Sequence, residues 1–233
     1  MPTKLFVALD CASADEARAL YKKIRPIHDH FKIGLELFCA SGPDFVKELT
    51  QDGAKIFLDL KFHDIPNTVS QAVARAAALQ AGWINLHLSG GEEMVRKSVE
   101  ALRESAVKQK HKPSLIGVTV LTSMNEEGLA QVGVRNSVAS QVQDLAQKGK
   151  AWGLDGVVCS AHELANIQKA CGKDFITIVP GIRPEGAATQ DQKRVMTPQE
   201  ATQDGAHFIV VGRPISQAKD PREATQKILS VLL

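Results

Sequence analysis

Short apolar segments alternate with amphipathic segments along most of the chain. The clearest are Leu5-Phe6-Val7-Ala8-Leu9 near the start and Phe208-Ile209-Val210-Val211 near the end. Apolar segments of this length between helical patterns are typical of strands in a parallel sheet that is buried on both faces. The pattern predicts eight strands, near residues 4–10, 31–37, 55–61, 83–88, 113–121, 156–160, 175–180 and 208–212.

Apolar residues recur at helical spacing between the predicted strands. Two such faces consist of Ala17, Leu20, Tyr21 and Ile24, and of Val95, Val99, Leu102 and Ala106. Helix starts are marked by capping boxes, in which a Ser or Thr is followed three residues later by Glu. These boxes begin at Ser13, Ser160 and Thr197, and Asp220 before Pro221 predicts a further N-cap.

Eight strands alternating with helices in 233 residues predict an α/β protein, a TIM (β/α)8 barrel with a single domain over residues 1–233. A doubly wound open sheet is the alternative. That fold usually has a glycine-rich turn after its first strand, whereas the turn here is Asp10-Cys11-Ala12-Ser13. No low-complexity linker divides the chain.

Composition and charge narrow the range of functions. Apolar residues make up 44% and charged residues 23%, as in a soluble globular protein. A net charge of +2 without a basic block argues against a nucleic-acid or membrane-surface partner. The first residues lead directly into the segment from Lys4 to Asp10, which predicts no signal peptide. Four dispersed cysteines predict reduced thiols and a cytoplasmic location.

The stretch 57–68 contains the most informative polar residues. Asp59 and Lys61 are two apart, so they point to one face of an extended strand, while Leu58 and Leu60 point to the other. Charges within a buried strand cost free energy, and a structural ion pair is one explanation for them. A catalytic role is the other, because active sites of this barrel lie at the carboxyl ends of the strands.

Further polar residues lie near the ends of other predicted strands and would meet at one rim of the barrel. They are Asp10, Lys32, Asp64, His87, Thr122, Ser123, Ser160, Arg183 and Arg213. Lys32 is an exception among them, because it lies at the start of its predicted strand.

Two glycine-arginine segments predict a phosphate site. Gly181-Ile182-Arg183 and Gly212-Arg213 follow strands 7 and 8, where barrels of this kind often bind phosphate. Glycine lets backbone N–H groups approach the oxygens, and arginine supplies a charged fork. The polar segment 184–197 is a candidate lid over a ligand, with a surface loop as the alternative.

These residues belong to a longer pattern that resembles the orotidine 5′-phosphate decarboxylase family. The family signature D-x-K-x-x-D-I-P-N-T matches the stretch from Asp59 to Thr68 without a departure. The resemblance continues through residues 7–10, 31–34, 120–123, 180–183, 191–192 and 211–214. It implies decarboxylation of orotidine 5′-monophosphate to UMP and CO2, the final step of UMP synthesis, without a cofactor or a metal.

The resemblance also implies a role for each matching residue. Lys32, Asp59, Lys61 and Asp64 would form an alternating catalytic array, in which Lys61 stabilises a carbanion and protonates C6. The substrate-binding residues would be Asp10, Lys32 and Thr68 for the ribose, Thr122 and Ser123 for the pyrimidine, and Arg183, Gln192, Gly212 and Arg213 for the phosphate. The family is a homodimer, and Asp64 and Thr68 are similar to residues that reach into the partner's active site.

Two other functions remain as alternatives. The 3-keto-gulonate-6-phosphate decarboxylases and hexulose-phosphate synthases share the D-x-K-x-x-D strand but use Mg²⁺, with a Glu of the second strand as a ligand. Lys32 would repel a cation at that place, and Glu36 does not fit the motif. A phosphate-binding barrel without catalytic activity is the other alternative. It is disfavoured because all four residues of the array are present.

Overall fold

The fold is a closed barrel of eight parallel strands, in a computed structural model that describes residues 2–109, 111–184 and 196–232. Each strand pairs with the next, and β1 pairs with β8 to close the barrel. The strands are β1 Lys4–Ala8, β2 His30–Gly34, β3 Lys55–Phe62, β4 Trp83–His87, β5 Ser114–Val118, β6 Gly156–Val158, β7 Ile176–Val179 and β8 Phe208–Val211. The predicted (β/α)8 barrel is confirmed, and the open-sheet alternative is wrong.

Helices follow the strands around the outside of the barrel. They are α1 Ala14–Ile24, α2 Leu35–Gln51, α3 Pro66–Ala77, α4 Gly91–Gln109, α5 Glu126–Gln131, α6 Val138–Ala151, α7 Leu164–Cys171, α8 Pro198–Gln203, α9 Arg213–Ser216 and α10 Pro221–Leu229. Short 3₁₀ turns, Leu88–Gly90 and Ala161–Glu163, precede α4 and α7. Within the described ranges, no helix is both long enough and apolar enough to cross a membrane.

Several strands are shorter at their carboxyl ends than the sequence predicts. β2 ends at Gly34, and the segment 35–37 forms the first turn of α2 instead. Lys32 is therefore central in its strand rather than at its start. β1 and β5 also end early, which leaves Asp10 and Thr122 on the loops that follow them. The polar residues of these loops thus lie above the barrel rim.

The predicted helix starts are only partly correct. Thr197 and Glu200 form a complete capping box, and the side chain of Ser13 accepts a hydrogen bond from the Glu16 N–H. Asp220 caps α10 as predicted. The prediction at Ser160 is wrong, because its side chain makes no capping bond where the chain enters a 3₁₀ turn.

Apolar side chains fill the amino end of the barrel and separately pack its outer face against the helices. Phe6, Phe57, Trp83 and Phe208 come from four different strands and contact one another, which requires them to meet inside the barrel. Side chains alternate along a strand, so Asp59 and Lys61 follow Phe57 on the inner face. Their neighbours Leu58 and Leu60 belong to the outer apolar cluster, as predicted.

Candidate active site

A cavity of about 550 Å³ opens at the carboxyl ends of the strands. Its size is that of a small-molecule site. The predicted site residues that line it are Asp10, Lys32, Asp59, Lys61, Thr122, Arg183, Gly212 and Arg213. They come from β2, β3, the loops that follow β1, β5, β7 and β8, and the first residue of α9. Residues that lie far apart in the chain therefore share one chamber.

Four charged side chains form an alternating chain along one wall of this cavity. Lys32 Nζ lies 2.8 Å from Asp10 Oδ1 and 3.5 Å from Asp59 Oδ2. The other oxygen of that carboxylate, Asp59 Oδ1, lies 2.6 Å from Lys61 Nζ. The order within one chain is thus Asp10, Lys32, Asp59 and Lys61. Each carboxylate oxygen of Asp59 faces a different ammonium group.

Burial and charge act in opposite directions on this array. Burial disfavours the charged form of Asp59, but Lys32 and Lys61 outweigh it and lower the pKa of the carboxyl. Burial also opposes the charge on Lys32, and Asp59 and Asp10 together outweigh it and raise the pKa of the ammonium. Both groups are therefore charged at neutral pH. A buried ion pair survives only when further contacts compensate for lost hydration, as they do here.

Asn85 is a member of the site that the sequence analysis did not identify. It lies on β4, is fully buried, and donates from Nδ2 to Asp59 Oδ1 at 2.6 Å. Its Oδ1 accepts the backbone N–H of Lys61 at 2.7 Å. A lone Asn between Ile84 and Leu86 in an apolar strand was the available signal, because a buried amide requires hydrogen-bond partners.

Three of the predicted site residues lie outside the cavity. Asp64, Thr68 and Ser123 are exposed, and none of them is part of the described cavity wall. Asp64 Oδ1 accepts the backbone N–H of Ile65 at 2.7 Å. Asp64 therefore does not extend the charged array of its own chain beyond Lys61. The second carboxylate of that array is Asp10, at the end next to Lys32.

The two predicted phosphate segments meet at the cavity. Arg183 is buried there and donates from Nη1 to the Ile182 carbonyl at 3.0 Å, while its N–H donates to the Met196 carbonyl at 3.0 Å. Gly181 has a φ of 78°, a conformation that favours glycine. Gly212 precedes α9 and also lines the cavity. Gln192 and most of the candidate lid, 185–195, lie outside the described residues.

Two histidines lie beside the charged array. The rings of His63 and His87 are 5.5 Å apart at the ends of β3 and β4. Burial lowers the pKa of His87, and the nearby His63 and Lys61 act in the same direction. His87 is therefore neutral at pH 7.

The side chains of this wall suit an anionic ligand better than a metal ion. An ammonium group, Lys32 Nζ, lies between the carboxylates of Asp10 and Asp59. Glu36 lines the cavity but belongs to the first turn of α2, outside the second strand. Across the described ranges, no three His, Cys, Asp or Glu side chains are grouped as metal ligands.

Comparison with known proteins identifies the family. A model of the family described as orotidine 5′-phosphate decarboxylase / HUMPS matches residues 3–228. The orotidine 5′-phosphate decarboxylase of Legionella pneumophila (strain Lens) is 49% identical over 229 residues, which cover 98% of this chain and 99% of the relative. That of Nitratidesulfovibrio vulgaris (strain DP4) is 47% identical over 228 residues, which cover 97% and 96%.

Solved structures agree with this assignment. A crystal structure of orotidine 5′-phosphate decarboxylase from Lactobacillus acidophilus matches with a TM-score of 0.87 and 36% identity, covering 100% of this chain and 99% of that one. A crystal structure of an uncharacterized conserved protein from Geobacillus kaustophilus also has a TM-score of 0.87, with 33% identity and coverage of 98% and 100%. The resemblance seen in the sequence is thereby confirmed, and the chain belongs to the orotidine 5′-phosphate decarboxylase / HUMPS family.

Proposed function

We propose that this protein decarboxylates orotidine 5′-monophosphate to UMP and CO2, the last step of de novo pyrimidine synthesis. The observation that carries the proposal is the ammonium group of Lys61 on the cavity wall, held 2.6 Å from Asp59 within a chain of alternating charges. Relatives named orotidine 5′-phosphate decarboxylase match nearly the whole chain, which supports the same reaction here. The whole chain would act as one catalytic domain.

The chemistry needs a positive charge and a proton at one carbon atom. Loss of CO2 from C6 leaves an electron pair in the ring plane, where the ring carbonyls delocalise it poorly. Lys61 would stabilise this carbanion through its charge and then transfer a proton from Nζ to C6. Asp59 would lie beside the departing carboxylate, and Lys32 would hold Asp59 in place. No step requires a metal or an organic cofactor.

The phosphate would bind at the ends of β7 and β8. Arg183 and Arg213 supply charge, and the backbone at Gly212 allows a close approach of the oxygens. We include Gln192 as a further phosphate ligand on the strength of the family resemblance alone. Phosphate binding far from C6 supplies interaction energy that the enzyme uses to lower the barrier at C6.

The ribose and the base would lie between the phosphate site and Lys61. Asp10 and Lys32, which are 2.8 Å apart at Oδ1 and Nζ, are proposed to bind the ribose hydroxyls. Thr122 lines the cavity and is proposed, with the adjacent Ser123, to face the pyrimidine edge. Thr68 is assigned to the ribose of the partner's site.

We further propose a homodimer with shared active sites. Asp64 and Thr68 are exposed in their own chain, and between them Ile65 exposes 67% of its surface. An exposed apolar side chain beside a signature carboxylate suits a subunit interface. Asp64 of one subunit would then complete the array of the other. The four cysteines form no disulfide with one another, which supports a cytoplasmic location.

The magnesium-dependent sugar-phosphate enzymes are less well supported. Their metal ligand on the second strand would be an acidic residue, whereas the cavity here has the cation Lys32 on β2. A barrel without catalytic activity is disfavoured by the arrangement of Asp59 and Lys61. A purely structural ion pair has no need to line a cavity of nucleotide size.

One spectrophotometric assay tests the main proposal. Purified protein treated with a chelator should convert orotidine 5′-monophosphate to UMP, followed as the loss of the substrate's ultraviolet absorbance. The rate should be equal without the chelator. Failure to turn over this substrate would refute the proposal. A strict requirement for added Mg²⁺ would instead favour the sugar-phosphate enzymes.

Subunit mixing tests the shared site. Asp59→Ala and Asp64→Ala should each be inactive, but a mixed dimer has one site with both residues intact. Random exchange should then restore about one quarter of the wild-type sites. A mixture of two separate Asp59→Ala preparations is the control. Sites confined to one chain would give no recovery after subunit exchange had been demonstrated.

A further inference from the structure

The pairing of β3 with β4 is irregular beside the charged array. Phe57 and Leu58 pair with Trp83 and Ile84, but the next pair joins Phe62 to Leu86. Three residues of β3, from Asp59 to Lys61, therefore lie opposite a single residue of β4, which is Asn85. A bulge of this kind redirects side chains and leaves backbone groups without their usual partners in the neighbouring strand.

The side chain of Asn85 supplies the missing partners. Its Oδ1 accepts the Lys61 N–H at 2.7 Å, and its Nδ2 donates to Asp59 Oδ1 at 2.6 Å. The orientation of the amide follows from chemistry, because a backbone N–H only donates and a carboxylate only accepts. One side chain thus connects the backbone of the proposed acid with the carboxylate beside it.

The backbone of Lys61 needs such support. Its φ is 50°, which is unfavourable for a residue with a side chain. This conformation is compatible with the bulge and with an ammonium group that lies on the cavity wall 2.6 Å from Asp59 Oδ1. The hydrogen bond to Asn85 compensates for part of the cost of this conformation, since it satisfies an N–H that the strand ladder does not reach.

Asn85 acts without touching the ligand space. It is 0% exposed and does not belong to the described wall of the cavity. We infer that Asn85 is a positioning residue, which holds the Lys61 backbone and the Asp59 carboxylate in the geometry that the chemical step requires. This inference rests on the proposed decarboxylase function. It assigns to β4 a part in a reaction whose charged residues all come from other segments.

The role predicts a specific kinetic signature. The proposed phosphate and ribose contacts come from segments other than β4, so loss of Asn85 should leave substrate binding nearly intact. Displacement of Lys61 should slow the chemical step, because a shift of about 1 Å in a reacting group reduces rates by about 100-fold. Asn85→Ala should therefore lower kcat by about 100-fold while KM changes by less than about threefold.

Asn85→Asp separates positioning from mere packing. The new carboxyl has nearly the same shape but, when ionised, would repel Asp59 and could not replace the Nδ2 donor of the amide. When protonated, it can donate as the amide did. Asp59 and Lys61 face this position, and His87 follows on the same strand. The ratio of mutant to wild-type kcat should therefore rise as pH falls. A purely structural effect on the strand would give no such trend.

Thr177→Ala is a matched control for stability. Thr177 is another buried polar residue of a barrel strand, and its Oγ1 accepts the His207 N–H at 3.2 Å. It contacts neither Asp59 nor Lys61 in the described hydrogen bonds. Thr177→Ala should lower the melting temperature as Asn85→Ala does, yet keep the wild-type kcat. Wild-type kcat in both Asn85 variants, or an equal loss of kcat in Thr177→Ala, would overturn the inference.

Amide hydrogen exchange tests the geometry without any substrate. The Lys61 N–H should exchange at least about tenfold faster in Asn85→Ala, which removes its acceptor, than in the wild type, while that of Leu58 stays unchanged. Equal protection at Lys61 would refute the positioning role. This measurement remains decisive if the wild type fails to act on orotidine 5′-monophosphate, an outcome that would refute only the proposed function.

Discussion

At the amino end of the strands the barrel interior is filled by aromatic rings, whereas at the carboxyl end it holds charged side chains. The same strands supply both. His30 and Lys32 are two residues apart on β2, Phe57 and Asp59 are two apart on β3, and Trp83 likewise precedes Asn85 on β4. Because inward positions recur at every second residue, the interior changes from an aromatic ring to a polar side chain within one step along each of these three strands.

The two ends contribute opposite terms to the free energy. Packed rings such as Phe6 against Phe57, with centroids 5.4 Å apart, stabilise the fold by burying apolar surface. Desolvated charges such as Lys32 and Asp59 cost free energy that their mutual contacts only offset. The comparison teaches that the aromatic end provides a rigid base on which the charged end is held at distances suited to chemistry.

Removal of Lys61 should produce the largest loss of activity. Lys61→Ala deletes both the charge near C6 and the proton donor, so kcat should fall by about 10⁴-fold or more. Nucleotide affinity should largely persist, because the phosphate and ribose contacts remain. Steady-state kinetics and UMP binding measure the two quantities. Lys55→Ala, on the same strand at the aromatic end, should keep full activity. A fully active Lys61→Ala would refute the mechanism.

Substitution of Phe6 should disrupt packing at the aromatic end of the barrel without changing the rate of the chemical step. Phe6 is fully buried and packs against Phe57, Trp83 and Phe208. Phe6→Ala should lower the free energy of unfolding in urea by about 3–5 kcal/mol, while kcat of the folded protein stays near the wild-type value. Phe6→Leu should cost less. A loss of kcat in fully folded Phe6→Ala protein would show that packing at the aromatic end also controls the chemistry at the charged end.

Gly34→Ala should disturb the charged end with little effect on stability. A Cβ at Gly34 would lie 2.9 Å from Lys32 Nζ and 3.4 Å from Asp10 Oδ1. The flexible ammonium can move away, so folding should change little. The displaced ammonium would weaken the charge-assisted hydrogen bond from Lys32 to Asp10, which should reduce kcat/KM by about tenfold or more. Gly82→Ala, beside the aromatic end of β4, is the control, since its Cβ would meet only ordinary contacts. Equal activity of the two variants would contradict this expectation.

The smallest effect should appear in the pH dependence of stability. Burial lowers the pKa of His28 and outweighs the bond from its Nε2 to the Leu5 carbonyl, which acts in the opposite direction. As pH falls, His28 is therefore protonated in the unfolded chain before it is protonated in the folded one. Its contribution to stability is full above about pH 6.5 and declines as pH falls below that value. In urea titrations between pH 7 and 5, His28→Gln should reduce the slope of the free energy of unfolding against pH. The reduction should correspond to at most one proton fewer taken up on unfolding.

The charged end supplies the contrast for that experiment. The pKa of Asp59 is lowered in the folded state by Lys32 and Lys61 despite its burial, so its contribution persists until pH approaches the unfolded value of about 3.9. Asp59→Asn should therefore leave the slope between pH 7 and 5 unchanged. An unchanged slope in His28→Gln would show that other groups govern the acid side of the stability profile.

The strands were predictable because their signal is local. Apolar runs of four or five residues and caps such as Thr197 are signals that depend on fewer than about five neighbouring residues. The strand ends were less certain, and β2 shows why. Leu35, Glu36 and Leu37 continue the apolar alternation of β2 yet form a helical turn. The local sequence there is compatible with both strand and helix, and packing around the barrel selects the helix.

The candidate site was predictable in its residue types but not in its connections. The signature identifies Asp59 and Lys61, and the loop glycines indicate a phosphate site. No local pattern in the sequence indicates that Asp10 is the partner of Lys32, and only the family resemblance indicates that Asp64 points away from the array of its own chain. Those contacts join residues that are distant in sequence or depend on loop direction.

Asn85 marks the boundary between the two kinds of information. The order of strands and helices, the inward face of β3 and the family follow from the sequence, because each depends on near neighbours or on a contiguous signature. The register shift between β3 and β4 exists only in the closed barrel. There Asp59, Leu60 and Lys61 all lie opposite Asn85, which is 24 to 26 positions further along the chain. Strand register is a property of the folded sheet, and it turns an unremarked asparagine into the support of the proposed acid.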